Sequence, residues 1–354
     1  MFRIHMLPAM FGDCLWVDYG NPDDPNVILI DAGTAGTWKP LLRKIEDRIE
    51  KTGKPLVIEL FVVTHVDRDH IGGAIKFMEQ LRNLNVTIRE VWFNGWHHLN
   101  GEVPPEKRDG LGAVDGEHLT ALLRDSPVPW NGLFERGAVV APATGELPQR
   151  TIAGMELILL SPDQDKLDKL IKVWMNEVLA EGVVPGDAFE VETPPDLLGK
   201  LPVDVLAGYP FECDDTEANG SSIAFLATFE EKTILFGADA HPDLLVKNLA
   251  RVKPSKLKGG IAALKVSHHG SKGNTNDELV SLLQAEHYLV STNGSIYSHP
   301  DDEAIARIIV LGPAVKQLHF NYDRPTNRRW ADEEDEHGYT TRYGTDTEGL
   351  IVDL

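Results

Sequence analysis

Eight side chains able to bind a cation fall into four short clusters, each placed just after an apolar run: His65, Asp67, Asp69 and His70; Asp239; His268 and His269; and His299. In the segment HVDRDH, four of six residues can donate to a divalent ion, the imidazoles through a neutral nitrogen and the carboxylates through a hard oxygen. In an extended loop, residues two apart point the same way, so His65, Asp67 and Asp69 can converge and His70 can join them at the start of a helix. Gly72 and Gly73 allow the backbone to pack closely there. A plainer reading makes the segment a solvated turn in which Asp69 caps a helix. The two histidines, the glycine pair and the recurrence of donors after three later strands favour metal chemistry.

Those donors need a scaffold whose strands end together. Residues 2–7, 14–19 and 26–31 read as strands, the last two joined by the turn sequence GNPDDP. Residues 38–51 carry Leu41, Leu42, Ile45 and Ile49 on one helical face. Residues 57–64 (VIELFVVT) read as one buried strand running into His65, followed by an amphipathic helix and a strand over 86–93. Further strands are expected at 155–160, 222–228, 233–236, 261–266 and 288–291, and helices at 163–179, 277–283 and 303–310. Residues 97–215 are Gly- and Pro-rich and read as an insertion, with PGD, TPP and CDD turn signals after 181. Residues 311–354 read as a C-terminal extension whose acidic run, 332–336, is a solvated loop. Because the donors run from 65 to 299, the whole of 1–354 is expected to be one catalytic domain.

Composition narrows the function. The 354 residues are 42% hydrophobic and 25% charged, as in globular proteins that bury a large core. With 34 basic and 55 acidic residues, the net charge of −21 argues against a general duplex-DNA coat, which needs clustered cations. Local groups of cations remain: Arg251, Lys253, Lys256 and Lys258, and Arg324, Arg328 and Arg329. Cys14 and Cys213 form neither a disulfide framework nor a CxxC, which suits a reducing compartment. The start, MFRIHMLPAM, lacks a signal-peptide core, and the best apolar run, 56–63, is short and contains Glu59. A soluble, cytoplasmic protein with no membrane partner is expected. A homo-oligomer is compatible with the sequence.

THVDRDHIGG resembles the HxHxDH motif of the metallo-β-lactamase superfamily in its HxDxDH variant. With Gly12-Asp13, Ile30-Asp31-Ala32-Gly33, Asn219 to Ser222, Leu235 to Asp239, His268 to Lys272 and His299-Pro300 in order, it resembles the metallo-hydrolase domain of the DNA-uptake competence protein ComEC. The resemblance implies an α/β fold: an αββα sandwich of two mixed β-sheets with outer helices and a two-metal site at one edge. His65 and Asp67 would face one divalent ion, Asp69 and His70 the second, Asp239 would bridge them, and His269 would complete the second. Two cations, Zn²⁺ or Mn²⁺, are implied, Asp67 shifting preference toward the harder ion. His268 would be free to contact a substrate oxygen or donate a proton, unless it exchanges roles with His269. The histidine that should precede strand 222–228 is missing: the position reads Glu217-Ala218-Asn219-Gly220-Ser221-Ser222. Asn219 or a serine could hold water or substrate instead, and His97 or His98 could substitute for the missing ligand.

The chemistry expected is metal-dependent hydrolysis, with Asp69, His268 and His299 as catalytic candidates and Asn219, Ser222, Ser271 and Lys272 as substrate contacts. The competence-type resemblance points to a phosphodiester substrate, a nucleic acid or nucleotide, and so to a phosphodiesterase or nuclease. A lactone or ester hydrolase, with Trp96, Trp130 and Trp174 forming an apolar pocket, is the alternative, as is a degenerate binding module. Asp31 is either a turn residue or a carboxylate that orients a ligand histidine.

Overall fold

In the computed structural model, which describes residues 1–99, 115–179 and 201–354, sixteen strands are found among the described residues. They are β1 (Phe2–Met6), β2 (Leu15–Tyr19), β3 (Asn26–Ile30), β4 (Leu56–Ile58), β5 (Leu60–Val62), β6 (Val86–Ile88), β7 (Val91–Trp92), β8 (Gln149–Ile152) and β9 (Met155–Ser161). The second half contributes β10 (Ala224–Phe229), β11 (Lys232–Phe236), β12 (Ala263–Lys265), β13 (His287–Val290), β14 (Lys316–Phe320), β15 (Tyr339–Tyr343) and β16 (Leu350–Asp353). Two mixed sheets result, one ordered β16-β1-β2-β3-β5-β7 and one β15-β14-β13-β12-β11-β10-β9-β8.

Strand alternation explains their packing. Leu15, Val17 and Tyr19 of β2 share a core with Phe225, Leu235 and Leu264 of the large sheet, whereas Trp16 faces the other way. On that outer side it packs with Leu41 and Ile45 of the helix Trp38–Thr52 and Ile71, Phe77 and Met78 of the helix Arg68–Gln80. Helices Pro242–Leu249, Asp277–Leu283 and Asp302–Leu311 supply Leu245, Leu279 and Ile305 to the core that includes the large sheet. The architecture is the αββα sandwich. Burial of such faces, at about 25 cal/mol per Å² of apolar surface, is the main force holding the layers together.

The expected strand 57–64 is two. β4 pairs with β6 in a separate two-stranded sheet, while β5 lies between β3 and β7. The change of partner falls at Glu59, whose N–H donates to Val27 and whose carboxylate pairs with Arg89 at 3.0 Å. A charge inside the apolar run thus marks the break. The strand 86–93 divides in the same way.

Residues 97–215 are not wholly an insertion, because β8 and β9 form one edge of the large sheet and β9 pairs with β10. Leu167, Leu170 and Trp174 of the helix Gln164–Leu179 join the outer core beside the small sheet. The PGD and TPP signals lie outside the described residues. Nor is 311–354 an appendage: β14 and β15 extend the large sheet and β16 pairs with β1. The acidic run is mostly helical, ending one helix at Asp332 and entering another at Glu334–His337.

Candidate metal centre

Parallel pairing of β3 with β5, of β11 with β12 and of β12 with β13 brings the C-terminal ends of these strands to one edge. Asp31, His65, Asp239, His268 and His269 follow those ends. Asp31, Ala238, His268 and His269 all have positive φ, between 46° and 55°, a conformation that side chains other than glycine adopt at a cost. The helix carrying Asp69 and His70 comes close to two loops. A Cβ on Gly12 would lie 1.8 Å from the Asp69 carbonyl oxygen, and one on Gly73 would lie 1.9 Å from that of Ala32. Asp67, not Asp69, occupies the N-cap position, and it makes no side-chain capping bond.

Four imidazole Nε2 atoms surround one carboxylate oxygen. Asp239 Oδ2 lies 3.3 Å from His70, 3.7 Å from His269, 3.8 Å from His65 and 3.9 Å from His268. His269 Nε2 is also 3.2 Å from Asp69 Oδ2 and 3.3 Å from His70 Nε2, so it is His269 that meets the second group of donors. Asp67 Oδ2 is 3.5 Å from His65 Nε2 and its side chain is 44% exposed, opening this end of the centre to solvent.

The partners of the other ring nitrogens set the tautomers. His70 Nδ1 donates to Asp31 Oδ2 at 2.8 Å, and His269 Nδ1 donates to the Ser291 carbonyl at 2.8 Å. The Thr64 hydroxyl donates to Asp31 and therefore accepts from His65 Nδ1 at 3.0 Å. Asn274 directs its amide N–H groups to Asp214 and the Asp239 carbonyl, which leaves its Oδ1 to accept from His268 Nδ1 at 2.9 Å. In its neutral form each ring consequently presents an Nε2 lone pair to the centre.

Two lone pairs 3.3 Å apart, on His70 and His269, cannot bond to each other. Buried His65 Nε2 and Asp239 Oδ1 have no hydrogen-bond partner. The residues therefore fit a divalent cation, with His65, His70 and Asp239 in one close group and Asp69, His70 and His269 in another. Burial works against charge on these rings, but Asp239 and its neighbouring carboxylates hold His70 well above the ordinary histidine range and push His269 up to about 10. A cation would compete with protons for the same lone pairs. Burial likewise opposes the charge on Asp239, yet His70, His269 and His268 hold it well below the carboxylate range.

Asp214, which sequence reasoning passed over in a loop, is the hub beside this centre. Its Oδ2 accepts from Asn219 at 2.7 Å and from Asn274 at 3.1 Å and lies 3.4 Å from His268 Nδ1. Asn219, at the place of the missing histidine, thus turns its amide nitrogen to Asp214. His241 lies behind the hub, its Nε2 3.9 Å from Asp214 and its Nδ1 accepting from Lys166. The signal available was the CDD triplet just upstream of the altered motif. A second missed group is Lys265, buried against Asp13 at 2.7 Å behind His269.

The remaining candidates are dispersed. His299 has its ring centroid 5.2 Å from that of His268 and its Nδ1 3.4 Å from Asp301. The Ser222 hydroxyl is buried without a partner. Ser271 accepts from the Gly273 N–H, and Lys272 is paired with Glu303 at 3.1 Å on the surface. Trp130 and Trp174 are buried in the outer core. His98 packs edge-on against Trp130 and accepts from the Gly95 N–H, and neither His97 nor His98 belongs to a close group of potential ligands among the described residues. Arg251 donates to the Pro142 and Gly145 carbonyls and Lys256 pairs with Glu156, leaving Lys253 and Lys258 exposed in that patch. Arg324, Arg328 and Arg329 pair with Asp346, Asp323 and Asp302.

The two packed sheets with outer helices and a candidate site at one edge have the architecture of the metallo-β-lactamase fold. Residues 8–142 match the family described as Metallo-beta-lactamase superfamily, a stretch that holds Asp13, Asp31 and the 65–70 cluster. Over 72 residues the chain is 29% identical to a coenzyme F420H(2) oxidase of Methanothermobacter thermautotrophicus. That match spans 20% of this chain and 18% of the relative, so only about a fifth of either protein is compared. The metallo-beta-lactamase fold protein YhfI from Bacillus subtilis aligns over 100% of both chains at 9% identity, with a TM-score of 0.41. No helix among the described residues is long and apolar enough to cross a membrane.

Proposed function

We propose that the protein is a metal-dependent hydrolase of a phosphodiester. The observation that carries this reading is the convergence of four Nε2 lone pairs on Asp239, with the opposite ring nitrogens held by hydrogen-bond acceptors. His65, Asp67 and Asp239 would hold one cation, and Asp69, His70, His269 and Asp239 the other. Divalent cations supply Lewis acidity and an acidified water at such sites. Among the chain's own groups, Asp69 orients the attacking water, and His268, fixed by Asn274 and Asp214 and carrying a proton on Nε2 at this step, faces the developing charge with His299 beside it. Asn219, its amide nitrogen 3.3 Å from His268 Nδ1, borders that side, Ser222 stays buried, and Lys272 would have to leave Glu303 to reach a substrate.

The competence-type motif variant supports phosphodiesterase or nuclease activity over lactone or ester hydrolysis. The burial of Trp130 and Trp174 gives the ester reading less support among the described residues. Zn²⁺ and Mn²⁺ both suit the mixed nitrogen and oxygen donors.

Elemental mass spectrometry tests the proposal, together with assays on bis(p-nitrophenyl) phosphate and a lactone. About two equivalents of metal, lost in Asp239→Ala, with phosphodiester cleavage, are expected. Lactone cleavage alone would move the substrate to the ester class. A protein that takes up no metal would be a binding module.

A further inference from the structure

A row of rings runs outward from the centre, and its outer members, Tyr297 and Phe11, have no part in the chemistry above. His268 and His299 have ring centroids 5.2 Å apart, His299 stacks with Tyr297 at 6.1 Å, and Tyr297 meets Phe11 edge-on at 6.4 Å. The inner end is the histidine whose Nε2 lies 3.9 Å from Asp239, and at the outer end Tyr297 is 59% exposed.

The two loops that carry the outer rings are tied together. Asn293 N–H donates to the Met10 carbonyl at 2.8 Å, the Ser291 hydroxyl donates to the Gly12 carbonyl at 2.9 Å, and Met10 N–H donates to the Tyr322 hydroxyl at 2.8 Å. Phe11 and Tyr297 are thus held beside each other without being packed into the core. Aromatic side chains so placed next to a polar centre offer π faces and edges to a planar group, a contact indifferent to sequence and to charge. Lys272, Arg324, Arg328 and Arg329 are already paired with carboxylates, so a long polyanion would have to displace those partners.

We propose that Phe11 and Tyr297 form a subsite for a planar ring, an aryl group or a nucleobase, carried on a small ester whose reacting group lies at Asp239. This rests on the hydrolase reading for the reacting group, but the ring subsite is testable by binding alone.

The metal-loaded protein would be titrated by NMR with phenyl phosphate, adenosine monophosphate and ethyl phosphate, and separately with benzoate and acetate. The ring-bearing members are expected to bind roughly ten-fold tighter than their ringless counterparts. Tyr297→Ala should cut that preference to within about two-fold, Tyr297→Phe should retain it, and metal content should not change. Adenosine monophosphate binding above phenyl phosphate identifies a nucleoside ligand and the reverse identifies an aryl ester, both supporting the subsite. Equal affinity within both series overturns it, as does a preference unmoved by both Tyr297→Ala and Phe11→Ala. Phe11→Ala also serves as the test if the Tyr297 variant does not fold. No phosphate binding, with benzoate still preferred over acetate, would sink the phosphodiester reading and leave the subsite standing.

Discussion

Asp31 Oδ2 accepts the Nδ1–H of His70 over 2.8 Å, and both side chains are closed to solvent. The same carboxylate accepts from the Thr64 N–H at 2.7 Å and from the Thr64 hydroxyl at 2.8 Å, and that hydroxyl in turn orients His65. One aspartate therefore sets the tautomers of two candidate ligands. Asp31→Ala should weaken metal binding by about 10- to 100-fold, the usual effect of removing a group that orients a metal ligand. A competitive titration against a chromophoric chelator would measure this, and unchanged affinity would rule out the orienting role.

Asp13 and Lys265 form an ion pair sealed in the core behind His269. Lys265 holds the Asp13 carboxyl below the ordinary range despite the burial that opposes its charge. Lys265→Met should destabilise the protein by about 3–5 kcal/mol, because it strands a buried carboxylate. The double variant with Asp13→Asn should recover part of the loss. Urea unfolding of both variants gives the two values.

Asp214 is engaged by Asn219, Asn274, Thr216 and His268. Its pKa is far below the ordinary range because those donors outweigh burial. Asp214→Ala should lower phosphodiester turnover by at least about ten-fold while leaving metal content intact, since it releases His268 and not the His70 and His269 group. Loss of metal together with activity would instead place His268 among the ligands.

The pH dependence of stability has a predictable sign from His319. This buried ring has its pKa lowered to about 3, by burial first and then by His287 and Arg342. Its folded-state pKa lies below its unfolded value near 6.5, so the unfolded chain binds more protons between the two. The contribution of neutral His319 is complete above the unfolded pKa and is lost as pH falls toward the folded one. The slope is at most about 1.4 kcal/mol per pH unit for one such group. Urea midpoints across this range, compared with those of His319→Gln, should show a shallower acid loss in the variant.

The donors were legible in the sequence because their signal is local. His65, Asp67, Asp69 and His70 lie within six residues, and Asp239, His268 and His269 each follow an apolar run, so residue type and position relative to a strand were enough to nominate them. The individual strands were legible from apolar alternation, whereas the two-sheet sandwich was implied by the resemblance of the THVDRDHIGG motif. Strand pairing was not: nothing in residues 57–64 says that β4 and β5 join different sheets, and nothing in 311–354 says that β16 closes beside β1.

The sequence alone determined which residues could do chemistry and which strand ends would carry them, since hydrophobic periodicity and donor type are properties of short segments. Tertiary structure decided which atom of each residue faces the centre. The Nδ1 of His269 is held by a carbonyl 22 residues away, that of His70 by a carboxylate 39 residues away, and Asp214 reaches Asn274 across 60 residues. Hydrogen-bond partners at such separations are set by how the strands stack, and it is those partners that orient the rings and so shape the site.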